Sequence, residues 1–275
     1  MSGVLVLIGT PIGNLGDLAP RAVEELARAD VVACEDTRRT GRLLAHVGVR
    51  APVLLVVNDH TEARAVTDVL ARLDRGERVA VVTDAGMPGI SDPGERMVAA
   101  AAAAGHRIEV VPGPSAALTG LVASGLPTGR FVFEGFLPRK GSGRTERLAA
   151  VAVEQRTVVL YEAPHRLART LADLATACGP NRRVALAREL TKLHEELWRG
   201  SLADAVERCA EVEPRGEYVL VLAGAPEPQP ADDDDIRVAL AAARAAGATT
   251  RDAVSGVAAA LGVPRRRVYD LAVTD

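Results

Sequence analysis

Cysteine is scarce in this chain. Cys34, Cys178 and Cys209 stand far apart and odd in number. That excludes a disulfide framework and the close ligand spacing of a structural zinc site, and it fits a reducing compartment. Aromatic residues make up only 3% of the 275 residues. Beside abundant alanine, this reads as genome composition rather than function. Charge of neither sign dominates. A formal net charge of −3 gives no global attraction to nucleic acid, so RNA or DNA contact must come from local basic patches. No apolar run reaches the roughly 20 residues needed to span a bilayer. The alanine-rich run 99–104 reads as part of an amphipathic helix. The first residues lack a signal peptide's basic start and cleavage site, so a cytoplasmic location is expected.

What is present is punctuation. The segment Gly9-Thr10-Pro11-Ile12-Gly13-Asn14-Leu15-Gly16-Asp17 directly follows an apolar run. So does Asp84-Ala85-Gly86-Met87-Pro88-Gly89-Ile90-Ser91-Asp92-Pro93-Gly94. Glycine lets backbone turn tightly and approach a ligand closely, and strand ends are where ligands sit in open α/β sheets. Two such loops predict one cleft lined by main chain with carboxylates beside it. Glycines 9, 13 and 16 do not fit the dinucleotide fingerprint, and no Gly-Lys-Ser/Thr follows to make a phosphate-binding loop.

Short β-branched runs alternate with helical patterns. Strands are expected over 4–8, 31–34, 53–57, 79–83 and 108–111, with helices over 21–28, 62–73 and 95–104. Pro20 suits a first helical turn with Asp17 as its cap, and Ser91 or Asp92 suits the cap of the helix near 95. The alternation predicts a parallel sheet with helices on both faces. After a boundary near Gly125, a second α/β unit is expected. Its strands fall at 131–133, 157–161, 184–187, 197–200 and 218–222, its helices at 144–153, 165–177 and 202–209. Closer strand spacing near its end predicts antiparallel pairing there. The domains are thus 1–124, 125–225, a proline-rich acidic linker 226–235, and a helical tail 236–275. In the tail, 236–246 reads as a helix, and 250–261 with 265–272 reads as helix-turn-helix.

Chemistry-bearing residues cluster at strand ends. Cys34-Glu35-Asp36-Thr37-Arg38-Arg39 ends one strand; it reads either as a polar exit capping the next helix through Asp36 or Thr37, or as a functional loop. Asn58-Asp59-His60-Thr61-Glu62 ends another; since the intrinsic pKa of histidine lies near neutrality, His60 reads either as a general base or as a structural histidine. Pro112-Gly113-Pro114-Ser115-Ala116 opens a helix whose free N–H groups can face a ligand. Glu35, Asp36, His60, Glu62 and Asp84 are oxygen-rich enough for magnesium, but their spacing carries no metal signal, and no metal is expected. Arg139-Lys140 with Arg144, and Arg265-Arg266-Arg267 opening the last helix, are candidate phosphate contacts.

These segments together resemble the tetrapyrrole-methylase-fold methyltransferases, and within them a branch that methylates ribosomal RNA. The match runs in unbroken order through Gly9–Leu15, Glu35-Asp36-Thr37-Arg38, Asp59-His60, Asp84-Ala85-Gly86, Pro112-Gly113-Pro114, Phe133-Glu134-Gly135-Phe136-Leu137-Pro138, Tyr161-Glu162, Ala187–Lys192 and Gly216-Glu217. Met87 and Ala163-Pro164 depart from the pattern and affect only the shape of the cofactor loop. The resemblance implies an α/β protein of two domains with a cleft between them and a small all-α C-terminal domain. It implies S-adenosylmethionine as cofactor, held by Pro11, Asp84, Met87, Ser115, Ala116 and Tyr161. The implied acceptor is the ribose 2′-hydroxyl of cytidine 1402 in 16S rRNA of the small ribosomal subunit. Asn14, Glu35, Asp36, Arg38, His60 and Glu62 are implied on the acceptor side, with Glu35, Asp36 and His60 as candidates for the group nearest the hydroxyl. Arg38, Arg39, Lys140, Arg144, Arg166 and Lys192 are the expected phosphate contacts. A homodimer is also implied. Two readings stand beside it: a corrin-precursor methyltransferase of the same fold, and a helix-turn-helix DNA-binding regulator whose α/β part senses a ligand.

Overall fold

The computed structural model describes residues 3–50, 53–57, 61–227 and 231–274. Backbone contacts divide them into two units, 1–225 and 226–275. Within the first unit, five apolar runs form one sheet: Val4–Ile8 (β1), Val31–Cys34 (β2), Leu54–Val56 (β3), Arg78–Val81 (β4) and Arg107–Val111 (β5). Their order is β3-β2-β4-β1-β5 and every pairing is parallel. Parallel strands are covered on both faces and so read as near-continuous apolar runs. Pro20–Arg28 (α1) and Thr37–His46 (α2) cover one face, packing Ala22, Leu26 and Leu44 against Val6, Ile8 and Val32. Glu62–Asp74 (α3) and Glu95–Ala103 (α4) cover the other through Val69, Leu73 and Met97.

Ala116–Ser124 (α5) leads into the second sheet. Ala117 and Leu121 rest on Val159, Ala187 and Val219 of that sheet, so α5 packs with the sheet that follows it. The second sheet is built from Phe131–Phe136 (β6), Thr157–Glu162 (β7), Arg183–Arg188 (β8), Glu196–Ser201 (β9) and Tyr218–Leu222 (β10). Its order is β6-β7-β10-β8-β9. β6 and β7 are parallel; β10 runs antiparallel to both β7 and β8, and β8 to β9. The antiparallel ending is the one the spacing predicts. Ser142–Val153 (α6), Pro164–Cys178 (α7) and Leu202–Glu211 (α8) bury Val151, Leu167, Leu171, Leu174 and Leu202 against its outer face. None of the helices described is long and apolar enough to cross a membrane.

The second unit is a three-helix cluster: Asp233–Ala245 (α9), Thr250–Leu261 (α10) and Arg265–Thr274 (α11), closed over Ile236, Leu240, Val254, Val257 and Val268. The acidic run read as linker is partly helix. Asp232 accepts hydrogen bonds from the N–H groups of Asp234 and Asp235 at 2.9 and 2.8 Å, and Asp235 accepts one from the Asp232 N–H at 3.0 Å. This reciprocal cap, with acids in the first turn facing the positive end of the helix dipole, starts α9 earlier than its apolar residues do. Two expected caps are corrected. Asp17 lies in a 3-10 turn and Ala19 precedes α1; Gly94, not Ser91 or Asp92, precedes α4.

Candidate functional site

β2, β4, β1 and β5 lie side by side, so their exits, at Glu35, Asp84, Gly9 and Pro112, share one sheet edge. This is why motifs scattered over a hundred residues converge. In the second sheet, Tyr218 at the start of β10 pairs with Glu162 at the end of β7 and with Arg188 at the end of β8. Antiparallel pairing thus gathers Phe136, Glu162, Glu189 and Glu217 at one edge as well. Between the two sets of loops lies a cavity of about 500 Å³, within the range of sites for small organic ligands.

The two glycine loops are joined directly. Thr10 and Gly86 exchange backbone hydrogen bonds of 2.9 and 3.1 Å, and the Gly9 N–H donates to the Val111 carbonyl at 3.0 Å. Gly9 tolerates no side chain: a Cβ there would lie 2.6 Å from the Gly113 Cα and 2.7 Å from the Met87 Sδ. Three non-glycine residues hold positive φ among the described residues: Ser91 at 61°, Glu189 at 50° and Thr191 at 66°. All three belong to the cleft loops. Such conformations cost on the order of 1–3 kcal/mol each and persist where surroundings enforce them. For Glu189 the enforcement is visible: its carboxylate accepts from the Glu217 N–H at 2.9 Å and from Lys192 Nζ at 3.0 Å. The Thr191 hydroxyl accepts from the Asn14 N–H at 3.1 Å, tying the Gly9 loop to the second sheet.

The structure sorts the candidate residues. Glu35, Arg39, Asp84, Met87, Ser115, Ala116, Tyr161 and Lys192 line the cavity. Pro11 is buried and is not among the lining residues. Asn14 is exposed, and its side chain accepts from the Gly16 N–H at 3.0 Å. Asp36 caps α2, accepting from the Arg38 N–H at 2.7 Å and pairing with the Arg38 guanidinium at 3.2 Å. Those Arg38 contacts hold the Asp36 carboxyl below its ordinary range. His60 lies outside the described residues, and Glu62 opens α3.

Two of the expected phosphate contacts are corrected. Arg144 is buried; it donates to Asp173 at 2.8 Å, to the Thr170 hydroxyl at 3.1 Å and to the Pro138 carbonyl at 2.9 Å. Arg166 lies 3.1 Å from the Glu162 carboxylate and donates to the Leu137 carbonyl at 2.5 Å. Arg144 is thereby enclosed, while Arg166 is partly buried and engaged by partners of the fold. Lys140, by contrast, is exposed, as are Arg265 and Arg266; Arg267 pairs with Asp233 of its own unit at 2.6 Å.

The cavity has an acid excess. Glu35, Asp84, Asp92, Glu162, Glu189 and Glu217 face fewer cations, chiefly Arg39 and Lys192. Burial alone would lower the Lys192 ammonium, but the Glu217 and Glu189 carboxylates outweigh it and hold it above its usual value. Asp84 is pushed up by burial, against the pull of the Arg39 guanidinium 3.2 Å away. Its Oδ1 is buried, with no hydrogen bond of ordinary geometry among the described residues. The Tyr161 phenol, raised by burial, accepts from the Ala117 N–H at 3.1 Å and fixes the start of α5. Phe136, His165, Glu189, Glu217 and Tyr218 also line the cavity without having been assigned to it from sequence. The available signal was polar residues flanking the apolar runs of β8 and β10.

A nucleoside-sized cavity with net negative lining, floored by two interlocked glycine loops between a parallel and a mixed sheet, defines a class. Residues 4–206 match the family model for tetrapyrrole (corrin/porphyrin) methylases, and the chain belongs to that family. Within it, the chain is 46% identical over 273 residues to ribosomal RNA small subunit methyltransferase I of Synechocystis, covering 98% of each. It is 48% identical over 227 residues to the protein of the same name from Xylella fastidiosa, covering 82% of this chain and 83% of that one. The fold is shared with uroporphyrin-III C-methyltransferase from Thermus thermophilus, solved in complex with S-adenosyl homocysteine, at a TM-score of 0.56 and 21% identity. That alignment covers 86% of this chain and 99% of that one.

Proposed function

We propose that this chain is an S-adenosylmethionine-dependent methyltransferase acting on small-subunit ribosomal RNA, with the ribose 2′-hydroxyl of cytidine 1402 in 16S rRNA as acceptor. The observation that carries the reading is the 46% identity to an enzyme named for that RNA, sustained over 98% of both chains and therefore including the helical tail. The cofactor is S-adenosylmethionine. When bound it supplies a methyl group on a positively charged sulfur, so the displacement requires no nucleophile from the protein. The chain must bind the two reactants, align them within roughly 3 Å, and accept a proton from a weakly acidic hydroxyl. Asp84, Met87, Ser115, Ala116 and Tyr161 are assigned to the cofactor side. The acid excess of the lining fits a cationic ligand. On the acceptor side Glu35, which lines the cavity, is the candidate for the proton, whereas Asp36 does not line it and caps α2. Lys140, Arg265 and Arg266 are the exposed cations offered to phosphates. A homodimer in the cytoplasm completes the reading.

Ribose-methylation mapping of rRNA from cells lacking the gene tests this directly: loss of methylation at that one position is expected, and an unchanged map overturns the assignment. Two further results are expected. Ionised Asp84 sits above its ordinary pKa and so costs stability at every pH above the unfolded value. Asp84→Asn should therefore raise the thermal midpoint slightly while weakening cofactor binding in calorimetry. Removing residues 231–275 should weaken binding to small subunits about tenfold or more, in keeping with the loss of several phosphate contacts. Cofactor affinity should not change.

A further inference from the structure

Phe136 is out of place for a phenylalanine. It lines the cleft yet is 51% exposed, in a chain that has only three phenylalanines. Its position is the product of a local irregularity. Phe133 and Phe136 are three residues apart, and in an unbroken strand that odd spacing puts them on opposite faces. Here Phe133 pairs with Val159 and Gly135 with Leu160, so Glu134 is left over as a bulge. The shift brings both rings to Tyr161, with centroids at 5.0 and 5.6 Å and edge-to-face geometry. Bulges beside active sites commonly re-aim a side chain in this way.

The bulge is held from several sides. Gly135 has φ +60°, and a Cβ there would lie 2.9 Å from the Ser91 Oγ of the Asp84 loop. Ile90, 46% exposed and also lining the cleft, is the neighbour of Ser91 just as Phe136 is the neighbour of Gly135. The two apolar side chains therefore flank one contact between the halves of the cleft. Beyond Phe136, the Leu137 and Pro138 carbonyls accept from Arg166 and Arg144. The ring stands on a segment clamped before and behind, and Phe136 remains half exposed.

We propose that Phe136 is a stacking platform for a nucleobase of the acceptor RNA, a positioning residue that presents the target nucleotide to the cleft with Ile90 beside it. The inference rests on the reading of the acceptor as RNA. A flat, rigid, half-exposed ring is what single-stranded nucleotides stack on, and stacking tolerates any base because every base has a π-face. Methyl transfer at a ribose requires such a grip, since the reacting hydroxyl carries no base identity of its own.

The test compares the intact protein with Phe136→Leu and Phe136→Tyr, using small ribosomal subunits purified from cells lacking this methylation and S-adenosylmethionine in calorimetry. Phe136→Leu should raise KM for subunits about 5- to 150-fold, the equivalent of one lost stack. It should leave cofactor Kd and the thermal midpoint nearly unchanged, and Phe136→Tyr should restore KM. Weakened cofactor binding with an unchanged subunit KM would overturn the proposal, assigning the ring to the cofactor's adenine instead. A subunit KM equal to that of the intact protein would overturn it as well. If the intact protein itself fails to methylate the subunits, the functional reading falls and the platform with it.

Discussion

Glu35→Gln drops methyl transfer about 10²- to 10⁴-fold, the range a positioned proton acceptor contributes, while cofactor affinity stays within about twofold. The expectation follows from how the acids at the cleft are employed. Asp84 faces Arg39 at 3.2 Å, and Asp36 caps α2 with its carboxyl lowered by Arg38. Glu35 leaves β2 one residue before that cap and lines the cavity. Glutamine keeps the size and removes the basicity. Single-turnover methylation of small subunits measures the chemical step. Asp36→Asn is the control: asparagine caps as well as aspartate, so α2 stays anchored and the rate changes far less. A Glu35→Gln protein with full single-turnover activity would move the proton acceptor elsewhere.

Arg144→Met destabilises the α/β unit by about 1–3 kcal/mol, the usual cost of leaving buried polar groups without their donor. Net stabilities lie in the range of about 5–15 kcal/mol, so this is a large fraction of the whole. The guanidinium ties α6 to Asp173 and Thr170 of α7 and to the Pro138 carbonyl. Thr170 in turn donates to Glu162 at 2.6 Å, and Glu162 pairs with Arg166. Losing Arg144 leaves the Pro138 carbonyl and the Asp173 carboxylate without that donor and loosens the wall of the cleft. Chemical denaturation with tryptophan fluorescence reads it directly, because the single Trp198 reports on β9 of the same unit. Lys140→Met, a few residues away but exposed, should move the midpoint little and act on RNA affinity instead.

That contrast also marks what the sequence could convey. Strand positions in the first sheet were legible because buried parallel strands are short apolar runs, and their exits were legible because Gly, Pro, Asp and Ser end them abruptly. The convergence of Glu35, Asp84 and Ser115 on one cavity followed from topology alone. Burial of basic residues did not. Arg144 sits in a flexible-looking Gly-Ser-Gly context identical in character to that of Lys140, and only its partners thirty residues away decide that it turns inward. The same holds for Asp232–Asp235, which composition alone assigns to a linker and which a reciprocal cap turns into the first turn of α9. The cleft wall contributed by Glu189, Glu217 and Phe136 was hidden for another reason. It depends on antiparallel register and on a bulge, neither of which leaves a periodic trace.

The placement of β10 has a consequence for how the chain must be made. It is the last strand of the α/β unit in sequence and the middle strand of its sheet, between β7 and β8. Until residues 218–222 leave the ribosome, no strand is available to join β7 to β8. Closure is therefore a single late event that joins pairs and seats Tyr218 and Val219 in the cavity wall at once. A chain stopped between residues 201 and 218 has every strand of the first sheet but lacks the central strand of the second, leaving the β7 and β8 edges unpaired and open to association. Catalytic competence and protection from aggregation thus arrive together, with the final five residues of one strand.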